Sequence, residues 1–241
     1  SKEAYVTKGA VTLQGVGGEK IPLEQADLVI MNPPFTRQER LPTNYKEALT
    51  KRLQGYEDYL HGQLGLYGYF IFLADKFVKE GGKIALVLPA TVLRVKSARG
   101  VRKLLTAHYQ SEHIITTWQR AAFSEGAQFR EILLVAKKLK STGDMGRIEA
   151  RSLPKCSVTI LKRLPTNLQE ANHFATKIKE VSSSIDETFE DENLVLYKVP
   201  QLQLRTHVDN LFTLIALQNP LLIDSWMKAS TKAGKKLMVF S

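Results

Sequence analysis

The sequence predicts an α/β fold: a mostly parallel sheet with one antiparallel strand near its edge, and a C-terminal extension after it. Three observations predict this. Two short apolar runs, residues 26–31 and 83–88, each stop at proline, and a stretch of helical spacing separates them. Two later apolar runs, residues 114–118 and 132–136, are joined by too few residues for a helical crossover, so they are expected to run antiparallel.

The elements follow in order. Ala26-Asp-Leu-Val-Ile-Met31 is short, apolar and ended by Asn32-Pro33-Pro34, which reads as a strand buried on both faces. From residue 66 to 79, Leu66, Phe70, Leu73, Ala74, Phe77 and Val78 fall at helical spacing, and Gly81-Gly82 supplies a stop. Residues 83–88, ended by Pro89, repeat the buried-strand pattern. The resulting strand-helix-strand unit is expected to cross over right-handedly into adjacent parallel strands. A further helix has Val101, Leu104, Leu105 and His108-Tyr109 on one face, with Arg99, Arg102 and Lys103 turned elsewhere. Residues 137–147 form a polar break, read as the boundary between residues 1–140 and 141–241. Beyond it, residues 168–181 and 208–227 show helical spacing, the second interrupted at Asn219-Pro220, and residues 182–193 read as an acidic, Ser-rich loop.

Composition narrows the classes of function. The chain has 241 residues and a net charge of +10, and residues 1–140 carry 21 Lys and Arg against 13 Asp and Glu. A polyanionic partner is expected for that half. Cys156 is the one cysteine, so an internal disulfide is excluded, and no His or Cys spacing suits a metal. No apolar run approaches the roughly 20 residues of a membrane span, and residues 1–10 lack a signal-peptide pattern, so the chain is expected in the cytoplasm.

Asn32-Pro33-Pro34-Phe35 carries the chemistry, because it stands where a parallel strand delivers its C-terminal end to a ligand crevice. Two prolines fix the backbone and remove two amide donors, leaving the Asn side-chain oxygen and a proline carbonyl as acceptors. Such a site suits an amino group. Bonds accepted from the N–H groups of an aromatic amine favour a tetrahedral nitrogen whose lone pair points at a methyl donor, and Phe35 offers a face for the base. A plain turn with Phe35 tucked into the core is the competing reading; the helix and second strand that follow favour the site.

On these residues the chain resembles the adenine-specific DNA methyltransferases of restriction-modification systems. Residues 27–35 are similar to their catalytic motif, residues 77–89 to the next helix and strand, and residues 123–126 and 130–137 to the region that closes their sheet. The resemblance covers about residues 20–140. It implies a Rossmann-like S-adenosylmethionine-dependent methyltransferase sheet with its last strand inserted antiparallel. It further implies that Asn32 and the Pro33 carbonyl hold the target amine, Pro34 shapes the loop, Phe35 stacks on a flipped base, and Asn32 and Pro34 also meet the cofactor. Double-stranded DNA is the implied partner, with a specificity or restriction subunit beside it.

The family's glycine-rich cofactor loop and acidic ribose-binding residue precede this motif, and residues 1–25 leave no room for them, so the chain is expected to be a catalytic-half fragment. Gly15-Val-Gly-Gly18 is followed by Glu19-Lys-Ile-Pro22 rather than a helix and reads as a hairpin or surface turn. Arg37 and Arg40 follow the motif, and Arg94, Lys96 and Arg99 follow Pro89. Both groups are expected at one edge of the sheet, against phosphates, with a solvated loop as the competing reading for each residue. Tyr45, Tyr56, Tyr59, Tyr67 and Tyr69 are expected to pack in the core or rim, with the lining of a base pocket as the alternative for some, and the five histidines receive no role. A methyltransferase acting on RNA or protein glutamine, and a non-catalytic nucleic-acid-binding fragment, are the alternatives. Residues 141–241 are read, from position, as the start of a target-recognition region.

Overall fold

The computed structural model describes residues 4–8, 19–36, 42–117, 123, 130–140, 153–185, 188–212 and 214. Strands β1 (Ala4–Lys8) and β2 (Glu19–Leu23) pair antiparallel, with Lys8 opposite Glu19. The glycines at 15–18 lie between these two strands, outside the described residues. The main sheet contains β3 (Ala26–Met31), β4 (Val78–Pro89), β5 (Tyr109–Thr117), β6 (Glu131–Lys138), β7 (Cys156–Leu161), β8 (Phe189–Glu190) and β9 (Leu194–Val199). Its order is β3-β4-β6-β5-β7-β9-β8.

The two proline-ended strands lie side by side and parallel, with Met31 opposite Leu86. β6 is inserted antiparallel between β4 and β5, as its short connection to β5 suits, but it lies inside the sheet rather than near its edge. Beyond β5 the sheet continues: β7 pairs parallel to β5, and β9 antiparallel to β7. A second reversed strand is therefore present besides the one expected. The polar break after residue 137 falls between two strands of one sheet, and Cys156, Val158 and Ile160 share a core with Ile84 and Leu134, so it interrupts neither sheet nor core.

Helices cover the two faces unequally. α1 (Thr43–Arg52), α2 (Leu66–Phe77), α3 (Arg99–His108) and α5 (Gln201–Thr206) precede or flank these strands, and α4 (Leu168–Ser184) lies between β7 and β8. Alternation along β4 and β6 turns Ile84, Leu86, Leu88, Ile132, Leu134 and Ala136 to a core shared with Phe72 of α2 and Leu104 of α3. On the other face, Leu194 and Leu196 pack with Phe174 and Ile178 of α4. α4 runs three residues past the expected helix, and β8 occupies part of the stretch read as a loop.

The strand carrying the Asn-Pro-Pro-Phe motif departs from expectation. β3 pairs with β4 and with no other described strand, and Leu28 and Ile30 are 50% and 72% exposed. Only Val29 and Met31 pack against the core. An apolar run reports its own composition, while double burial needs a covering layer. The glycines at 81 and 82 also do not stop the helix; α2 ends at Phe77 and both lie in β4. At Gly82 a Cβ would stand 2.9 Å from the Asp27 carbonyl, so the close approach of β3 requires glycine.

A buried polar network fixes α2 to the sheet. Asp75 of α2, 8% exposed, accepts the Tyr56 hydroxyl at 2.5 Å and the Tyr109 hydroxyl at 2.6 Å, with the Lys138 ammonium 2.9 Å away. Burial alone would raise the Asp75 carboxyl, but the bonds from Tyr109, Tyr56 and Lys138 outweigh it and hold the group below its ordinary value. Burial and the Asp75 carboxylate push both phenols far up.

Candidate functional site

The Asn32–Phe35 segment leaves the sheet at the C-terminal end of β3, while β4 continues alongside to Pro89. Its residues alternate in exposure. Asn32 and Pro34 are exposed, Pro33 is buried, and Phe35 is partly buried against the main core. Phe35 thus has both an anchored part and an accessible one. The following carbonyl, of Thr36, accepts the Leu66 amide at 3.1 Å, tying the loop to the first turn of α2. That amide is one of the orphan donors of a helix start, and here it orients a loop.

Of the basic residues, Arg37 and Arg40 lie outside the described residues. Arg94, Lys96 and Arg99 leave β4 on two short 3-10 turns, Ala90–Leu93 and Lys96–Ala98, that lead into α3. All three are exposed, and the parallel pairing of β3 and β4 brings their loop to the same sheet edge as Asn32. Two of them have partners that the sequence did not signal. The Arg99 guanidinium pairs with Asp209, and that of Arg94 lies 5.0 Å from the centre of the Phe212 ring. Leu211 donates its amide to the Leu93 carbonyl at 2.9 Å, so the segment around residues 207–212 runs along this loop.

Arg102 corrects the helical reading directly. Expected to point away from the core, it is 2% exposed, and its guanidinium donates to the carbonyls of Val92, Val95, Val208 and Asp209. A long side chain at the margin of an apolar face can reach inward when carbonyls receive its charge. No periodicity signals this, because those carbonyls come from distant segments.

The tyrosines divide as core and rim: Tyr56, Tyr67 and Tyr69 are buried, Tyr45 is exposed, and the Tyr59 hydroxyl meets His108 Nε2 at 3.1 Å. Cys156 is fully buried and its thiol is pushed up to about 12, so it is not a thiolate nucleophile at neutral pH. Burial depresses the His113 imidazole. Among the described residues, no group of three or more His, Cys, Asp or Glu is placed to hold a metal. No helix among them is long and apolar enough to cross a membrane.

Residues 22–123 match the family model of the Eco57I restriction-modification methylases. That range begins just before β3 and runs past the end of β5, so it contains the Asn-Pro-Pro-Phe segment and the basic loop. The Type II methyltransferase M.BanIII of Aneurinibacillus aneurinilyticus is 28% identical over 117 residues, which are 48% of this chain and 19% of that protein. The chain thus spans about a fifth of the length of the curated relative it matches. Among solved structures, the type IIG restriction endonuclease BpuSI superposes with a TM-score of 0.59 at 18% identity, over 84% of this chain and 22% of that one. A type I restriction-modification methyltransferase subunit of Streptococcus thermophilus gives 0.46 at 14% identity, over 84% and 39%. The likeness to BpuSI is one of fold.

Proposed function

We propose, from the match of residues 22–123 to the restriction-modification methylases, that this chain forms the catalytic half of an S-adenosylmethionine-dependent DNA methyltransferase. Its target is the exocyclic amine of adenine, flipped out of the duplex into the Asn32–Phe35 site. The observation that carries this reading is the placement of Asn32-Pro33-Pro34-Phe35 at the end of a parallel strand, inside the matched residues, with Asn32 exposed and Phe35 anchored on the core.

The residues present fit the cofactor. Asn32 and Pro34 are the two exposed members of the motif, at the C-terminal end of β3, so a neutral amide and a proline ring face the space a cofactor would take. When bound, S-adenosylmethionine supplies an electrophilic methyl group. Asn32 Oδ1 and the Pro33 carbonyl accept the two N–H bonds of the amine, and positive charge developing on nitrogen strengthens both. The proton released after methylation passes to water, which serves as the base, and the neutral thioether that a sulfonium leaves behind needs no general acid. Phe35 stacks on the base. Arg94, Lys96 and Arg99 meet phosphates without reading sequence, and Arg37 and Arg40 are assigned the same role. A specificity or restriction partner selects the DNA site.

The test is product identification with the whole protein that contains this chain. Duplex DNA is incubated with cofactor labelled in its methyl group and digested to nucleosides. Label in N6-methyladenine is expected. Label in a methylated cytosine, in RNA or in protein glutamine would replace the substrate proposed.

A further inference from the structure

Resting on that reading of the basic loop, we infer that Arg102 is a positioning residue, which makes the loop of residues 90–99 and the segment of residues 207–212 one DNA-facing surface. Its guanidinium binds both. NH1 donates to the Val92 and Val95 carbonyls at 2.7 and 2.8 Å, and Nε and NH2 donate to the Val208 and Asp209 carbonyls at 2.5 and 3.1 Å. Val92 and Val95 flank Arg94, and Lys96 follows at once. Asp209 carries the carboxylate that meets Arg99, and Phe212, three residues on, lies under Arg94.

The chemistry suits positioning better than packing. An arginine stays protonated in the interior, and its planar fork aims fixed donors in several directions, which a lysine cannot do. An apolar side chain would fill the same space and leave four carbonyls without these donors. The side chain therefore sets the spacing between the two segments. A further tie, from the Leu211 amide to the Leu93 carbonyl, lies beside it. Each cation of the loop is thereby held at a defined place relative to Asp209 and Phe212, and a phosphate must take Arg99 from the Asp209 carboxylate.

Arg102→Lys keeps the charge and most of the stem, and is the variant to test in the 241-residue chain. Hydrogen exchange in the free protein comes first. The Leu211 amide should lose at least tenfold in protection while the amides of β4 and β6 keep theirs. Unchanged protection at Leu211 would overturn the clamp, and so would an equal loss throughout the sheet, which is the mark of a merely structural residue.

Binding to a 30-base-pair duplex is then followed against salt. The slope of log K against log salt should flatten by about one for each loop cation that leaves its phosphate. Replacing Arg94, Lys96 and Arg99 together by Ala should cost less in the Arg102→Lys background than in the parent. Equal costs would overturn the coupling. If the parent chain binds no duplex, the nucleic-acid reading fails, and the exchange experiment still decides the clamp.

Discussion

Replacing Asp75 by Ala removes the acceptor at the centre of the network that holds α2 to β5 and β6. In the folded protein that carboxylate receives two phenolic hydroxyls, at 2.5 and 2.6 Å, and an ammonium at 2.9 Å. A hydrogen bond to a charged group contributes about 1.5–3 kcal/mol. Lys138 keeps the carbonyls of Asp75 and Val78, at 2.6 and 3.3 Å, so its charge is not stranded and its share of the loss is small. Two buried phenols remain, and the total comes to about 3–5 kcal/mol, the range for breaking a buried pair by removing one partner. At about 2–4 °C per kcal/mol for a chain of this size, Tm should fall by roughly 6–20 °C.

The network also gives stability a pH dependence of defined sign. The folded-state pKa of Asp75 is depressed, so its contribution is complete above the unfolded value of about 3.9 and is lost as pH falls through the lower folded value. Urea unfolding of the parent and of Asp75→Ala at pH 7, and again below pH 4, checks both points. The parent should be the more stable at pH 7, with the difference shrinking in acid. A gap under about 0.5 kcal/mol at pH 7, or one that widens in acid, would refute the reasoning.

Other outcomes are expected. Arg94, Lys96 and Arg99 replaced together by Ala should weaken duplex binding and reduce its salt slope by up to about three, measured by fluorescence anisotropy from 50 to 200 mM salt; an unchanged slope assigns them to solubility. Gly100→Ala should lower stability by about 1–3 kcal/mol in chemical denaturation, because the new Cβ would stand 1.8 Å from the Tyr59 carbonyl oxygen and the chain must move; an unchanged midpoint would contradict that contact. Phe35→Ala should weaken retention of a flipped base by roughly 1–3 kcal/mol, read from 2-aminopurine fluorescence at the target position.

The local signals that the sequence holds are of two kinds. Apolar runs with proline ends locate β3 and β4, and the short link before residues 132–136 reverses β6, because both depend on neighbours along the chain. The Asn-Pro-Pro-Phe segment is legible for the same reason. What covers a strand is not local: the run at Ala26–Met31 looks buried on both faces, yet Leu28 and Ile30 are exposed at an edge. The continuation of the sheet through β7 and β9 follows from pairing across the chain, which a polar break at residue 137 conceals. Arg102 and Asp75 were equally hidden, since charged residues on helices ordinarily face water and these two are held inside by groups up to 107 positions away.

The central claim rests on Asn32, and Asn32→Ala in the full-length protein tests it most directly. The substitution removes one acceptor and leaves both prolines, the Phe35 platform and the basic loop, so DNA binding should persist. Single-turnover methylation at saturating DNA and cofactor should fall by on the order of a hundredfold to a thousandfold. That corresponds to about 2.7–4 kcal/mol, by analogy with a lost oxyanion-hole donor. A methylation rate within a fewfold of the parent would contradict the assignment of Asn32 to the reacting amine.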